Sequence, residues 1–227
     1  MGYILQIETA TTVCSVALAK DGLVISARQL DERNMHAEII TLFIEELITS
    51  AAIQYGNLDA IAVSCGPGSY TGLRIGVSTA KGLCFALDKP LIAVETLEAM
   101  AYGAIATKKY TGMLLCPMID ARRMEVYTAL FDTAGNKIEP VTAKIIDENS
   151  FAGQLETNKI LFFGDGADKC QAILGNNLNA EFLPGFVNSA TYLTQKAFEK
   201  FTNKDFVDVA YFEPYYLKDF IAGVKKA

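Results

Sequence analysis

The sequence is poor in the side chains on which most metal and redox sites depend. A single histidine, His36, occurs among 227 residues, so the zinc arrangements that need two imidazoles cannot form. The cysteines are odd in number, widely spaced and without a C-x-x-C pair, which predicts reduced thiols in the core. They are Cys14, Cys65, Cys84, Cys116 and Cys170. A zinc protease is therefore nearly excluded, and we predict no metal site.

Long hydrophobic runs and an excess of positive charge are also missing. Every purely apolar stretch falls far short of the roughly 20 residues that span a bilayer. The first residues show neither the basic n-region nor the apolar h-region of a signal peptide, so we expect a cytoplasmic protein without a membrane partner. Acidic residues outnumber lysine and arginine by 26 to 20, which opposes the counterion release that drives nucleic-acid binding. Any RNA is therefore expected to be held mostly by another protein.

Apolar material is what the sequence has in quantity. Hydrophobic residues make up 51% of the chain and charged residues only 20%, which is the composition of a packed globular protein. At about 150 residues per domain, the length predicts one large domain or two small ones.

The first half of the chain alternates between strand and helix patterns. Three short β-rich runs separated by turns indicate an antiparallel meander. Apolar residues at steps of three and four then indicate an amphipathic helix over 35–51, with Asn34 as its N-cap. The predicted strands are 4–8, 13–18, 23–30, 58–65 and 91–94, and the predicted helices are 35–51, 72–87 and one that begins near 96.

The second half repeats this plan more loosely. It has predicted strands at 113–119, 124–131, 137–146 and 160–163, and predicted helices at 148–155, after residue 166 and at 190–201. Such a repeat favours an α/β fold of two related lobes, each a mixed sheet flanked by helices, with a cleft between them. We assign residues 1–108 to the N-terminal lobe and 109–227 to the C-terminal lobe. The final helix and the aromatic tail could pack on either lobe.

Two glycine turns, 66–72 and 164–166, each lead from a strand into a helix. Free amides at such a turn suit an anion, and tight backbone packing is the alternative. The first turn fits neither phosphate-binding template, because no lysine follows it directly and Thr71 stands where a dinucleotide fingerprint needs glycine. Two opposed glycine turns would line a nucleotide-sized groove.

A third turn joins two strands and carries Arg122 and Arg123. It suits a phosphate or a partner carboxylate, and an exposed hairpin paired with Asp120 is the equal alternative. The candidate nucleotide or anion contacts are Glu8, Thr9, Ser69, Thr71, Arg74, Asp120, Arg122, Arg123, Gly164, Asp165 and Gly166.

The helix after the first glycine turn contains glycines that need a compensating reason. Each glycine in a helix interior costs about 1 kcal/mol relative to alanine. Gly72, Gly76, Thr79 and Gly82 form a face of small residues against which another backbone could lie, either within the chain or in a second subunit. The subunit hypothesis pairs this helix with the helix at 35–51. Its predicted interface residues are Met35, His36, Ile39, Ile40, Phe43, Gly72, Gly76, Thr79, Lys81 and Gly82.

His36 falls in the first turn of the helix at 35–51. A lone histidine at a helix start is more often a capping or surface residue than a catalyst, and spacing alone cannot assign a Ser/His/Asp triad. We therefore name no catalytic residue.

Five motifs occur in an order that resembles the TsaB family, also called YeaZ. They are Ile-Glu-Thr-Ala at 7–10, Met-His-Ala-Glu at 35–38, the glycine-rich segment 66–76, Asp-Ala-Arg-Arg-Met-Glu-Val-Tyr at 120–127 and Pro-Tyr-Tyr-Leu at 214–217. The likeness covers essentially the whole chain. The glycine segment together with the Asp-Ala-Arg-Arg turn is its most specific part.

The resemblance implies an actin-like ATPase fold, also described as ribonuclease H-like, and a non-catalytic role beside a TsaD-type subunit in making threonylcarbamoyladenosine in tRNA. It further implies a TsaE-type ATPase as a partner, a homodimer when the chain is alone, and contact with tRNA only through the complex. The chain itself would hold no cofactor, and ATP or ADP at the partner interface is left open. The older description of such sequences as glycoprotease-like follows from kinship with TsaD.

Two departures from the pattern matter. Ala37 stands where the family usually has serine, and Glu8 replaces the first-strand aspartate of actin-like ATPases, which makes intrinsic ATP hydrolysis unexpected. A weak ATPase using the glycine turns, or a peptidase, is the rival hypothesis. A third hypothesis is direct tRNA binding through Arg122, Arg123 and Lys225.

Overall fold

A computed structural model describes residues 2–32 and 34–218 of the chain. The basic pair at 225–226, which includes the proposed RNA contact Lys225, lies outside the described residues. The strands are β1 Tyr3–Glu8, β2 Val13–Lys20, β3 Leu23–Asp31, β4 Leu58–Ser64, β5 Leu91–Val94, β6 Met113–Asp120, β7 Glu125–Phe131, β8 Lys137–Ile145, β9 Lys159–Phe163 and β10 Ala180–Leu183. The helices are α1 His36–Ser50, α2 Tyr70–Leu87, α3 Thr96–Thr107, α4 Ala152–Thr157, α5 Ala167–Leu174 and α6 Thr194–Asn203.

The two halves of the chain build sheets of the same topology. The first sheet has the order β3-β2-β1-β4-β5 and the second the order β8-β7-β6-β9-β10. In each, the first three strands pair antiparallel and the last two join in parallel. The predicted α/β fold with mixed sheets is therefore confirmed. The edge strand β10 was missed, because its four residues follow an asparagine-rich turn and are too few to show a period.

Helices cover both sheets and separate them. The apolar stripes of α1 and α2 pack on one face of the first sheet, and α4 and α5 pack on the outer face of the second. Helix α3 lies between the sheets, since Ala99 packs with the first sheet and Leu97 and Met100 with the second. Helix α6 packs against the first sheet through Ala197. The helical layer of α1 and α2 therefore faces away from the second sheet.

Some helix boundaries differ from the prediction. The N-cap of α1 is Met35, while Asn34 has a left-handed φ of 65°, so the predicted Asn34 cap is wrong. Helix α4 begins at Ala152 rather than 148, because the Asp147 carboxylate accepts bonds from Asn149 N and Ser150 Oγ and forms a turn there. The final helix is divided into a 3₁₀ turn at Ala190–Leu193 and α6.

The five cysteines are all buried and unpaired, as predicted. Burial raises the pKa of the Cys116 thiol to about 12, which keeps it protonated. Within the described residues, no helix combines the length and the apolar character needed to cross a membrane.

The glycines of α2 pack against the chain itself. The Thr9 hydroxyl donates to the Gly72 carbonyl at 2.8 Å, and a Cβ added at Gly72 or Gly76 would overlap Thr9 atoms. Gly82 is exposed, and a Cβ added there would meet nothing within 4 Å. Packing within the chain therefore explains Gly72 and Gly76, and the face of small residues is divided between interior and solvent.

This division predicts opposite effects for two equivalent substitutions. Gly76→Ala should lower the free energy of unfolding by about 1–3 kcal/mol, because the new methyl group overpacks the buried Thr9 contact. Gly82→Ala should raise it by up to about 1 kcal/mol through helix propensity. Urea unfolding of the two variants measures both effects, and a neutral Gly76→Ala would contradict the contact with Thr9.

Candidate functional site

The first glycine turn is tied to its own chain on three sides. The Ser69 amide donates to the Ala10 carbonyl at 2.7 Å, and the Gly72 amide donates to Ser69 Oγ, the N-cap of α2, at 3.2 Å. The Gly66 amide donates to Thr96 Oγ1 at 3.1 Å. These three amides are thus used internally, which favours the packing interpretation of the turn over an anion cradle.

Glu8 and Thr9 lie beneath this turn and do not reach the surface. Glu8 is 1% exposed, and its Oε1 accepts from the Ala10 amide at 2.6 Å. Thr9 is fully buried against α2. Neither side chain is exposed to a ligand in this structure, so their contact with a nucleotide stays a prediction. Ser69, Thr71 and Arg74 are exposed at the turn and in the first turns of α2, so they remain candidates.

Burial controls the acidity of Glu8. Desolvation raises the pKa of its carboxyl to about 7, although hydrogen bonds with the Ala10 amide, the Ser64 side chain and the Thr9 amide oppose the shift. The folded protein therefore retains this proton at pH values where the unfolded chain has lost it.

The second glycine turn is packed in the same way. The Gly166 amide donates to the Met118 carbonyl at 3.1 Å, and a Cβ added at Gly164 or Gly166 would overlap the end of β6. The Asp165 carboxylate accepts from the Asp120 amide at 3.1 Å. Gly164 and Gly166 thus have structural roles at the positions where we predicted anion contacts.

Residues 186–194 bridge the two sheets. Phe186 packs on Phe163 of the second sheet with ring centroids 4.8 Å apart. The Ala190 amide donates to Ser15 Oγ at 2.9 Å, and Thr194 Oγ1 donates to Gln6 Oε1 at 2.8 Å, both on the first sheet.

A cavity of about 50 Å³ lies beside this segment. It is lined by Thr11, Thr12, Val13, Asp31, Asp165, Phe186, Val187 and Asn188. Small-molecule sites usually measure about 300–1,000 Å³. This cavity is therefore too small for a nucleotide, and the nucleotide-sized groove between the two turns stays a prediction.

The Asp120–Glu125 turn holds two arginines in a costly backbone conformation. Arg122 and Arg123 have left-handed φ values of 71° and 49° and are exposed, a conformation that costs a non-glycine residue about 1–2 kcal/mol. The Arg122 amide donates to Asp120 Oδ1 at 2.8 Å, and the Lys169 ammonium bonds to the same carboxylate. The hairpin is exposed as predicted, but among the described residues Asp120 bonds to the Arg122 backbone amide and to Lys169 rather than to an arginine side chain.

The C-terminal tail runs along the first glycine turn. The Tyr215 amide donates to the Cys65 carbonyl at 2.7 Å, and Tyr216 packs on Tyr70 with ring centroids 4.9 Å apart. The Lys81 ammonium donates to the carbonyls of Ala210 and Phe212 at 3.2 and 2.9 Å. Lys81, predicted as an interface residue, therefore holds the tail. The motifs at 7–10, 66–76 and 214–217 thus meet at one edge of the molecule.

Four of the predicted interface residues are buried in the chain's own interior. His36 is 7% exposed, and its Nε2 lies 3.0 Å from the Thr11 carbonyl. Ile40 belongs to the core under α1, and Gly72 and Gly76 pack on Thr9. These four cannot contact a second subunit in this fold. Met35, Ile39, Phe43 and Thr79 are half-buried, and Gly82 is exposed.

The sequence-based interface prediction missed the exposed apolar residues of helices α1 and α2. Leu42 on α1 is 56% exposed and Phe85 on α2 is 86% exposed. We call the surface formed by Leu42, Arg74, Ser78, Gly82 and Phe85 the outer helical face. The available signal was that Leu42 and Phe85 are apolar residues lying outside the buried stripes of their helices.

A metal centre is not evident in the described part of the chain. No three His, Cys, Asp or Glu side chains there come close enough together to hold a metal ion.

The raised pKa of Glu8 predicts a pH-dependent stability. An ordinary glutamate pKa of 4.5 in the unfolded chain and about 7 in the fold mean that proton uptake stabilises the folded state fully below about pH 4.5. This contribution, about 3 kcal/mol, is lost as pH rises through 7. The difference in unfolding free energy between the wild type and Glu8→Gln, followed by urea unfolding, should fall over that range. A difference that does not change with pH would contradict the prediction.

Known proteins resemble this chain in sequence and in fold. The family model described as "TsaD: tRNA N6-adenosine threonylcarbamoyltransferase" matches residues 31–212. The tRNA threonylcarbamoyladenosine biosynthesis protein TsaB of Bacillus subtilis is 32% identical over 193 residues, which cover 82% of this chain and 80% of that protein.

Solved structures agree with these sequence relatives. YeaZ from Pseudomonas aeruginosa superposes with a TM-score of 0.81 at 25% identity, covering 96% of this chain and 100% of that one. The activator of the 2-hydroxyisocaproyl-CoA dehydratase from Clostridium difficile, solved with bound ADPNP, has a TM-score of 0.51 at 9% identity over 89% of this chain and 97% of that one. The latter likeness concerns the fold alone, which is the actin-like ATPase fold. On these matches, the chain belongs to the TsaB family.

Proposed function

We propose that the chain is a non-catalytic subunit in the biosynthesis of threonylcarbamoyladenosine in tRNA, and that it binds and stabilises a TsaD-type catalytic subunit. The observation that carries the proposal is the outer helical face, where Leu42 and Phe85 are exposed on neighbouring helices. The names of the TsaB relatives and of the matching family model supply the process and the class of partner.

The outer helical face suits a protein partner. Exposed aromatic and aliphatic side chains are typical of the residues that carry binding energy at interfaces. Both helices are fixed to the first sheet through their buried stripes, so the face is formed before a partner arrives and little conformational entropy is lost on binding. It also faces away from the second sheet, which leaves room for a large partner.

The internal bonding of reactive groups supports a non-catalytic role. Glu8 is buried and bonded to the Ala10 amide, and His36 Nε2 lies against backbone carbonyls. A general acid or base must reach the proton it transfers. Neither side chain is placed to do so.

Further parts of the proposal follow from the family resemblance. We propose that the chain alone forms a homodimer through the outer helical face, that a TsaE-type ATPase joins the complex, and that tRNA binds only through the complex. ATP or ADP would lie at the partner interface rather than between the two sheets, and the complex would act in the cytoplasm.

Changing the outer helical face should weaken partner binding while the fold remains intact. Phe85→Glu and Leu42→Glu place charge in the expected interface, and each should weaken the Kd for a purified TsaD-type subunit by at least about tenfold. Because both side chains are exposed, thermal stability should change little. Isothermal titration calorimetry measures the affinity.

Leu178→Glu is the matched control for this experiment. Leu178 is 97% exposed in the loop before β10, so its replacement introduces the same charge far from α1 and α2. Wild-type affinity in both Phe85→Glu and Leu42→Glu would remove the outer helical face from the proposal.

The rival ATPase hypothesis has its own measurement. Titration of the isolated chain with ATP and magnesium should show no micromolar binding, because amides of both glycine turns are internally bonded and the cavity beside Asp165 is about 50 Å³. Micromolar binding together with phosphate release would revive the enzyme hypothesis.

A further inference from the structure

The two arginines of the Asp120–Glu125 turn occupy positions where other residue types would have a lower conformational free energy. Arg122 and Arg123 are consecutive left-handed residues, a conformation for which glycine and asparagine are favoured. Both side chains are exposed, so packing does not account for their type. A strained backbone that presents two guanidinium groups to solvent indicates a use for those groups.

The carboxylates beside the arginines are already paired with lysines. The Lys169 ammonium bonds to Asp120 and donates to the Glu125 carbonyl at 2.6 Å. The Lys218 ammonium bonds to the Glu125 carboxylate at 2.5 Å. Among the described residues, no ion pair engages Arg122 or Arg123. The turn therefore offers two positive groups although the whole chain carries a net charge of −6.

The C-terminal tail links this turn to the first glycine turn. Tyr216 packs on Tyr70, whose hydroxyl accepts a bond from Arg74 Nη1 at 3.1 Å. Tyr216 is only two residues before Lys218, which reaches Glu125 in the turn. Tyr216 is 37% exposed, so part of its surface remains open.

We propose that Arg122 and Arg123 bind backbone phosphates of RNA, and that the exposed part of Tyr216, on the tail that reaches the turn through Lys218, stacks on an unpaired base. The planar guanidinium matches a phosphate in two hydrogen bonds, and stacking on aromatic rings is the common way to hold unpaired bases. This inference rests on the proposed function, since the RNA is the tRNA that the complex modifies. The acidic balance of the chain explains why the contact needs a partner that supplies most of the affinity.

The test uses the complex of this chain with its TsaD-type subunit and a tRNA transcript labelled for fluorescence anisotropy. Arg122→Asn combined with Arg123→Gly removes both guanidiniums and supplies residues that favour the left-handed turn. The Kd for tRNA should rise about tenfold at low salt. The slope of log K against log salt should decrease in magnitude by about 1.4–1.8, as expected for two lost phosphate contacts.

Two controls separate this effect from misfolding and from general charge. The double variant should have an unchanged or raised Tm, because it relieves backbone strain, and it should still co-elute with the TsaD-type subunit. Lys108→Ala combined with Lys109→Ala removes two positive charges from an exposed loop before β6. That variant should leave the salt slope unchanged.

Each remaining outcome counts against one specific statement. Wild-type tRNA affinity and salt slope in an assembled variant complex would overturn the RNA contact and leave the proposed function intact. Loss of co-elution in the double variant would mean that the turn binds protein, and this result would also overturn the RNA contact. A wild-type chain that does not assemble with the TsaD-type subunit would instead refute the proposed function, and the RNA contact with it.

Discussion

The contact between Thr9 and helix α2 fixes the geometry on which the rest of the molecule depends. The Thr9 hydroxyl holds the Gly72 carbonyl at 2.8 Å, and Gly72 and Gly76 leave no room for a side chain there. Helix α2 therefore lies directly on the turn after β1, with one side against the sheet and the other facing solvent. This contact sets the position of the first glycine turn, of the outer helical face, and of the place where the C-terminal tail crosses that turn.

Polar groups that a nucleotide-binding fold would leave free are used here for internal bonding. Glu8 holds the Ala10 amide, the turn amides bond to Ala10, Ser69 and Thr96, and residues 186–194 bridge the two sheets. Two accessible features therefore lie on the outside of the molecule. They are an apolar helical surface on one side and an arginine turn on another.

Periodicity in the sequence predicted most of the fold, because strands and helices with one buried face carry a clear repeat. It located β5 at Leu91–Val94 and placed the remaining strands, except β10, close to their observed bounds. The same signal misled the interface prediction. Ile40 belongs to the stripe that α1 buries, whereas Leu42 and Phe85 are exposed because they fall outside the stripes. Glycines at helical spacing could not show whether Thr9 or a second chain fills the gap, since that depends on how distant segments meet.

The segment at 186–194 bridges the two sheets and belongs to the same polypeptide as they do. A ligand in that position would come and go with its concentration, whereas a piece of the same polypeptide is always present at its own binding site. The bonds from Ala190 to Ser15 and from Thr194 to Gln6 therefore form without any ligand. The chain thus carries its own brace between its two halves.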